Sequence, residues 1–450
     1  MSGLPVGWVE SSIGEVTKPF ESIDPGRSPE RWVDYIDIGS IDNTTQRIAD
    51  PKRVLGREAP SRARRLVETG DVLFSTVRTY LKNIARVPPE LDGALTSTGI
   101  ALLRPSEALE SSYLFHWVCS APFLETISKA QDGTMYPAVS DRDVSAASIV
   151  LPPLAEQRRI VAKLDALTAR TVRARADLDR IPTLAARYKQ AVLAKAFSGE
   201  LTAEWRSSRG LPEPRMTRLA DLVAEPLRNG LSVRGSDEPP GVRSLRLSAL
   251  RGGAVNLEDV RFLPISDDHA RRFLLRDGDI LVSRGNGTKT LVGISALVGH
   301  VRETTIFPDT AFRVRVAQDR VDPQWLSHIW SAPQSRTQIE AVAKTTAGIW
   351  KVSQADLAGV ELPFFELSEQ IEMVGRLGHA LAEIDRMAAE AVAARRLLDR
   401  LDQAVLSKAF RGELVPQDPA DEPASILLDR IRAERAGAPK GTRGRRKAVA

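Results

Sequence analysis

The stretch KQAVLAKAFSGEL, residues 189–201, returns as DQAVLSKAFRGEL, residues 402–414, and from Gln190 and Gln403 onward ten of twelve paired positions are identical. The offset is 213 residues, and it pairs Glu156-Gln157 with Glu369-Gln370 without a gap, so the repeated block is about 46 residues long. Upstream, LPPLAEQ from Leu151 and LPFFELSEQ from Leu362 open the two blocks. Further upstream still, GDVLFS from Gly70 pairs with GDILVS from Gly278, IDIGSI from Ile36 with LRLSAL from Leu245, and YLFHWVCSAP from Tyr113 with WLSHIWSAP from Trp325. A chain of 450 residues is thus two copies of one unit, a mixed domain followed by a different segment, and two copies make a tandem duplication rather than a solenoid.

The different segment reads as helix. Ile160, Leu164, Leu167, Thr171, Ala174, Leu178 and Ile181 step by alternating fours and threes, and Met373, Leu377, Ala380, Ile384, Met387 and Ala391 follow in the second copy. That is an a/d seam, and Gly199 and Gly412 stand where helix C-caps are expected. Pro182 removes one backbone donor, which predicts a kink or restart in the first helix. Two seams in one chain are buried economically by pairing the helices antiparallel, with one globular domain at each end; the other arrangement docks each helix on its own domain.

The globular domains mix strands and helices. VDYIDIGSI, DVLFSTV, IALLRP, VRSLRLSAL, DILVSR and AFRVRV read as strands, and residues 112–123 and 323–330 as helices. Regular βαβ alternation is absent, which favours α+β over a doubly wound sheet. The expected boundaries are 1–152 for the first domain, 153–201 for its helix, 202–365 and 366–414 for the second pair, and 415–450 for a C-terminal segment with a short helix and a basic tail.

Composition narrows the function. Hydrophobic residues at 42% and charged residues at 27% fit a globular protein, and no apolar run of about 18 residues marks a membrane span. The expectation is a soluble, cytoplasmic protein. Net charge is +5, but KGTRGRRKAVA at residues 440–450 holds five basic residues, so the rest sums to zero. The single cysteine, Cys119, and five scattered histidines argue against a metalloenzyme. The chain has no phosphate-binding G-x-x-x-x-G-K-[ST], no G-x-S-x-G and no H-E-x-x-H, which predicts a chain that catalyses nothing alone and carries no cofactor.

What remains is recognition. A polar, basic loop follows each GD-strand, with Arg78, Tyr80, Lys82 and Asn83 in the first copy and Arg284, Asn286, Thr288 and Lys289 in the second. Arg can fork to guanine and Asn to adenine, while Lys and Thr suit phosphates. A second loop in each copy offers Thr134 and Tyr136, or Trp350 and Lys351.

The LPPLAEQRRI and LSEQ openings, the two QAVL-x-KAF-x-GEL blocks, LPVGWVESSIGEV at the start and the paired GD-[VI]-L strands resemble the specificity subunit of a type I restriction-modification system, over residues 4–435. The resemblance implies two target-recognition domains, each reading half of a split asymmetric sequence in double-stranded DNA, and an antiparallel coiled coil between them. It further implies two adenine-N6 methyltransferase subunits and ATP-driven restriction subunits as partners, with S-adenosylmethionine, ATP and Mg held by those partners. LPFFELSEQ departs from L-P-P-L-x-E-Q, which predicts a differently shaped second junction. The competing class is a coiled-coil adaptor with two heads that bind ligands other than DNA, favoured by the near-zero charge outside the tail.

Overall fold

The computed structural model describes residues 3–131, 138–346 and 348–437. The chain folds as two compact units, Met1–Asp177 with Ala394–Ala450, and Leu178–Ala393. Each contains one globular head, the start of the long helix that follows that head and the end of the other long helix. The fold class is α+β with two tandem heads and a pair of long antiparallel helices.

In the first head the strand Val72–Ser75 lies between Ile100–Pro105 and Ile84–Arg86, and Thr17–Lys18 extends the sheet beyond Ile100–Pro105. In the second head Ile280–Ser283 lies between Ala311–Val314 and Ser295–Leu297, with Arg228–Asn229 in the place of Thr17–Lys18. These central strands are buried at every position, which is why they read as continuous apolar runs rather than alternating ones. A second sheet repeats as well. Trp32–Ile36 pairs antiparallel with Lys52–Leu55 and parallel with Leu95–Ser97, as Val242–Leu245 does with Val260–Leu263 and Thr305–Ile306. The fourth strand of that sheet, Ala63–Leu66, occurs in the first head's sheet, whereas the second head's has three strands.

Each head carries two short helices against its central sheet, Ser111–Val118 with Ala121–Lys129 and Pro333–Val342 with Pro323–Trp330. Sequence reading joins the first two through residue 123 and misses the later helix of each head. Pro122 and Pro333 mark the break: each sits in the first turn of the later helix, where a missing amide proton costs nothing, behind an extended N-cap residue, Ser120 or Ala332.

The long helices are Leu154–Ser198 and Leu367–Ala409. The first runs unbroken through Pro182 rather than restarting there. In the first unit Ile160 and Leu164 share a core with Ala409 and Phe410, and Arg175 pairs with Asp399 at 2.9 Å and Asp402 at 2.7 Å. In the second unit Leu193 and Ala196 share a core with Met373 and Leu377, while Lys189 pairs with Asp385. Rising numbers on one helix meet falling numbers on the other within each unit, so the pairing is antiparallel. One seam position is corrected: Met387 is 50% exposed, because the step after Ile384 is four, to the partly buried Ala388, before the buried Ala391.

The repeated block thereby acquires a physical meaning. Its second copy brings Phe410 edge-on to Tyr113 at 5.5 Å and to Trp117 at 4.9 Å in the first head; its first copy buries Leu193 and Ala196 in the second head. Each head is therefore gripped by the helix that follows it and by the end of the other one. Gly199 and Gly412 end the helices at φ +78° and +74°, a left-handed conformation that glycine enters without penalty.

Candidate nucleic-acid interface

The most similar residues of the two copies form a framework. Gln157 accepts from the Glu110 amide at 2.9 Å and donates to the Ala108 and Pro152 carbonyls at 2.9 and 3.0 Å. Gln370 accepts from the Asp322 amide at 2.8 Å and donates to the Arg320 and Phe365 carbonyls at 3.0 and 2.8 Å. Both side chains are fully buried, and each fixes the start of a long helix to the N-cap of a short one. Phe365 stands where Pro152 does, so the altered LPFFELSEQ junction keeps the same three bonds.

The preceding glutamates are anchored differently. Glu156 accepts from the Trp8 indole at 3.0 Å, and burial holds its carboxyl above the ordinary range; Glu369 accepts from Thr202 at 2.6 Å and Arg206 at 2.9 Å.

The GD pairs are framework too. Gly70 and Gly278 take φ +88° and +81°, and the following aspartates, Asp71 and Asp279, are 1% exposed. Asp71 receives a fork from Arg104 at 3.0 and 2.8 Å and caps the Glu68 amide at 2.8 Å. Asp279 receives one from Arg315 at 2.7 and 2.7 Å and caps the Arg276 amide at 2.8 Å. A buried carboxylate needs such a partner to offset its lost hydration.

On this common frame sit two unlike rims. In the first head a tight turn over Thr79–Leu81 is flanked by Arg78 and Lys82 at φ +51° and +54°. Together with Gln46 at φ +54°, these are the non-glycine residues with positive φ among those described, and such strain concentrates at functional sites. The turn throws Tyr80 outward, 64% exposed. Asn83 is turned inward, 9% exposed, donating to the Ile38 carbonyl at 3.1 Å, so its amide serves the framework where sequence reading places it on DNA. Thr134 and Tyr136 lie outside the described residues.

Sequence reading passes over the neighbouring hairpin of Ile41–Asp42 and Arg47–Ile48. Asp42 caps the Thr44 amide at 2.8 Å, and Gln46 lies 3.5 Å from Cys119. Burial pushes the Cys119 thiol up to about 12, which leaves it unreactive.

In the second head the chain after Ser283 straightens into a strand. Gly285 and Asn286 pair with Lys351 and Trp350, and Lys344–Thr346 completes a three-stranded ribbon. Asn286 caps the Thr288 amide at 2.9 Å. Trp350, half-buried, packs on the head's core with the Lys289 ammonium 5.0 Å from its ring centroid. Arg284 and Lys351 line an open groove of about 510 Å³, together with Lys344, which sequence reading does not single out. Among the described residues no cluster of three or more His, Cys, Asp or Glu could hold a metal ion, and no helix is long and apolar enough to cross a membrane.

A repeated frame that carries two heads and a pair of antiparallel helices defines a class of two-headed protein with helical spacers. Comparisons with known proteins assign it. The chain is 32% identical over 348 residues to the type I restriction enzyme EcoKI specificity subunit of Escherichia coli (strain K12), covering 74% of each chain. It is 30% identical over 342 residues to the StySPI specificity subunit of Salmonella potsdam, again over 74% of each. Among solved structures it matches the HsdS subunit from Thermoanaerobacter tengcongensis, with TM-score 0.64, 31% identity and coverage of 91% of this chain and 98% of that one. It also matches a chain from work on complex assembly and conformational transition of the type I R-M system, with TM-score 0.71, 30% identity and coverage of 92% and 100%. No model of a known protein family matches the chain. The chain belongs to the family of type I restriction enzyme specificity subunits.

Proposed function

We propose that this chain is the non-catalytic DNA-reading subunit of a cytoplasmic bacterial type I restriction-modification complex, and that it binds a bipartite, asymmetric duplex target. Each head reads one half-site, and the paired helices set the number of unread base pairs between them. The carrying observation is that the two heads repeat the same buried bonds at Gln157 and Gln370, and at Asp71 and Asp279, while their rims differ at equivalent places. A duplicated ligand site would repeat its rim; two readers of different sequences need one frame and two rims.

Partners are two adenine-N6 methyltransferase subunits and ATP-driven restriction subunits, which would hold the S-adenosylmethionine, ATP and Mg. Apolar side chains left exposed along the long helices, Val172, Leu397 and Leu401 in the first unit and Leu184 and Tyr188 in the second, support docking of partner helices there.

A genome-wide map of N6-methyladenine, in cells expressing the chain with its adjacent methyltransferase gene, tests this. The expected result is a split, asymmetric motif with a fixed gap. No methylation alongside a competent methyltransferase would favour an adaptor that binds something other than DNA. Deleting seven residues from both helices removes about 10 Å, close to three base pairs of rise, and is expected to shorten the gap.

A further inference from the structure

We infer that the groove lined by Arg284, Lys344 and Lys351 is a phosphate clamp on duplex DNA that belongs to the second head alone, holding the backbone there without reading bases. The inference rests on the half-site reading above and assigns one head an unequal share of the electrostatic binding.

The geometry begins with an arrangement that costs folding free energy. Lys344 and Lys351 are direct partners across the antiparallel ribbon; side chains so placed have Cβ atoms about 5 Å apart, and like charges there repel. Gly285 brings a third strand against Lys351, and so close that a Cβ would lie 3.0 Å from the Trp350 carbonyl and 3.1 Å from the Lys351 side chain. Arg284, one residue earlier, accepts the Val352 amide on its carbonyl at 3.1 Å and lines the same groove. Among the described residues none of the three cations has a carboxylate within ion-pair distance.

The one carboxylate lining the groove, Asp356, is already committed to the Ser353 amide at 2.8 Å and hydroxyl at 2.7 Å. Those bonds, with the Lys344 charge nearby, hold its carboxyl below the usual range. Three cations against one occupied anion leave a net positive groove on an open surface, and Asn229 and Gln354, joined at 3.1 Å, add amide groups beside it. An anion placed between the opposed lysines relieves their repulsion. A phosphate of the DNA backbone is the anion that the half-site reading supplies.

The first head shows that the frame does not require these charges. There the Thr76 carbonyl accepts the Val139 amide at 2.9 Å, as Arg284 does Val352, and Val77 bridges Ala138, as Gly285 pairs with Lys351. The places of Arg284, Lys351 and Lys344 are thus held by Thr76, Ala138 and, at the same offset of 213, Gln131. All three are neutral, and Gln131 is spent on the Thr79 hydroxyl. At these three positions the second head alone carries cations, while the first head has Arg142 in the place of the groove's Ala355.

The test titrates the full chain, assembled with its methyltransferase subunit, with a duplex carrying the methylated motif and with an unrelated duplex, across a range of salt. The double variant Lys344→Gln/Lys351→Gln should weaken both duplexes by a similar factor, lower the slope of log affinity against log salt by about two, and leave the methylated motif unchanged. Lys344→Arg/Lys351→Arg should restore the slope. An unchanged slope, a loss confined to the target duplex, or an altered half-site would overturn the clamp. So would an unchanged slope accompanied by lost calorimetric binding of inorganic phosphate, which would assign the groove to a free anion. Absent or salt-independent DNA binding by the unaltered complex would overturn the half-site reading as well, so the wild-type titration tells the two failures apart.

Discussion

The two heads share a set of buried polar bonds and differ where they meet solvent. At Gln157 and Gln370 the same three hydrogen bonds recur on unlike local sequences, LPPLAEQ and LPFFELSEQ. Beyond the far end of each central strand, one rim is a strained turn presenting Tyr80 and the other a flat ribbon whose Trp350 has Lys289 over its ring. The difference separates two kinds of constraint. A buried polar group left without partners costs free energy wherever it occurs, so the frame can drift only in ways that keep its bonds. A rim exposed to water has no such requirement and is free to follow its ligand.

The comparison can be broken first at the aspartates. Asp71→Ala and Asp279→Ala each remove the buried half of an arginine's pairing, leaving Arg104 with Glu68 at 2.8 Å and Arg315 with Glu225 at 2.9 Å, at a cost of about 3 kcal/mol, with similar losses expected in urea denaturation followed by hydrogen exchange of the strands each head contributes. A large loss in one head and none in the other would show that the frame is not shared. Next come Gln157→Ala and Gln370→Ala, each leaving a buried amide and two carbonyls unpaired. They should cost about 2–3 kcal/mol and uncouple the start of a long helix from its head, seen as faster exchange at residues 154–164 or 367–377.

A third measurement sharpens a place where the frame itself diverges. His116 faces Asp165 at 3.1 Å, and that contact holds the Asp165 carboxyl below its usual range. The matching His328 has Gly378 at the corresponding helix position, and its buried Nε2 has no hydrogen-bond partner. Burial pulls its pKa below the ordinary 6.5, with Asp322 opposing only in part. The unfolded chain therefore takes up the proton first. The contribution of His328 to stability is complete above pH 6.5 and is lost as pH falls from there through the lower folded value.

Between pH 7.5 and 5.5 the helix Pro323–Trp330 should lose exchange protection more than Ser111–Val118 does. Gly378→Asp should flatten that loss and add a few tenths of a kcal/mol from helix propensity at neutral pH. An acid response that Gly378→Asp leaves untouched would assign it to another group. The smallest effect on folding belongs to Tyr80→Ala, expected to change stability by less than about 0.5 kcal/mol while weakening DNA binding through the first half-site only; a melting curve and a methylation map measure the two.

Much of this architecture is legible in the chain itself. The duplicated QAVL-x-KAF-x-GEL block, the four-three spacing from Ile160 and from Met373, and the glycines at 199 and 412 are local patterns, and local patterns report helix faces and helix ends. The seam fails at Met387 because a heptad read from hydrophobicity prefers methionine to the smaller Ala388, whereas an antiparallel pair at close approach has room for alanine. Site residues are less legible. Asn83 and Trp350 look like contacts because asparagine and tryptophan suit bases, yet one bonds the Ile38 carbonyl and the other packs on a core, partners that lie far away in sequence. Lys344 goes unnoticed because nothing near it in sequence marks it out; its meaning comes from Lys351 across the ribbon and from Arg284, sixty residues earlier.

By itself the sequence determined that there are two copies, that each ends in a long helix with an apolar seam, and which family the motifs resemble, because these follow from periodicity and repetition along the chain. Only the tertiary structure decided which polar residues hold the frame and which stand on a rim. That distinction depends on whether a hydrogen-bonding group is removed from water, and removal from water is set by segments that meet from about thirty to more than a hundred residues apart.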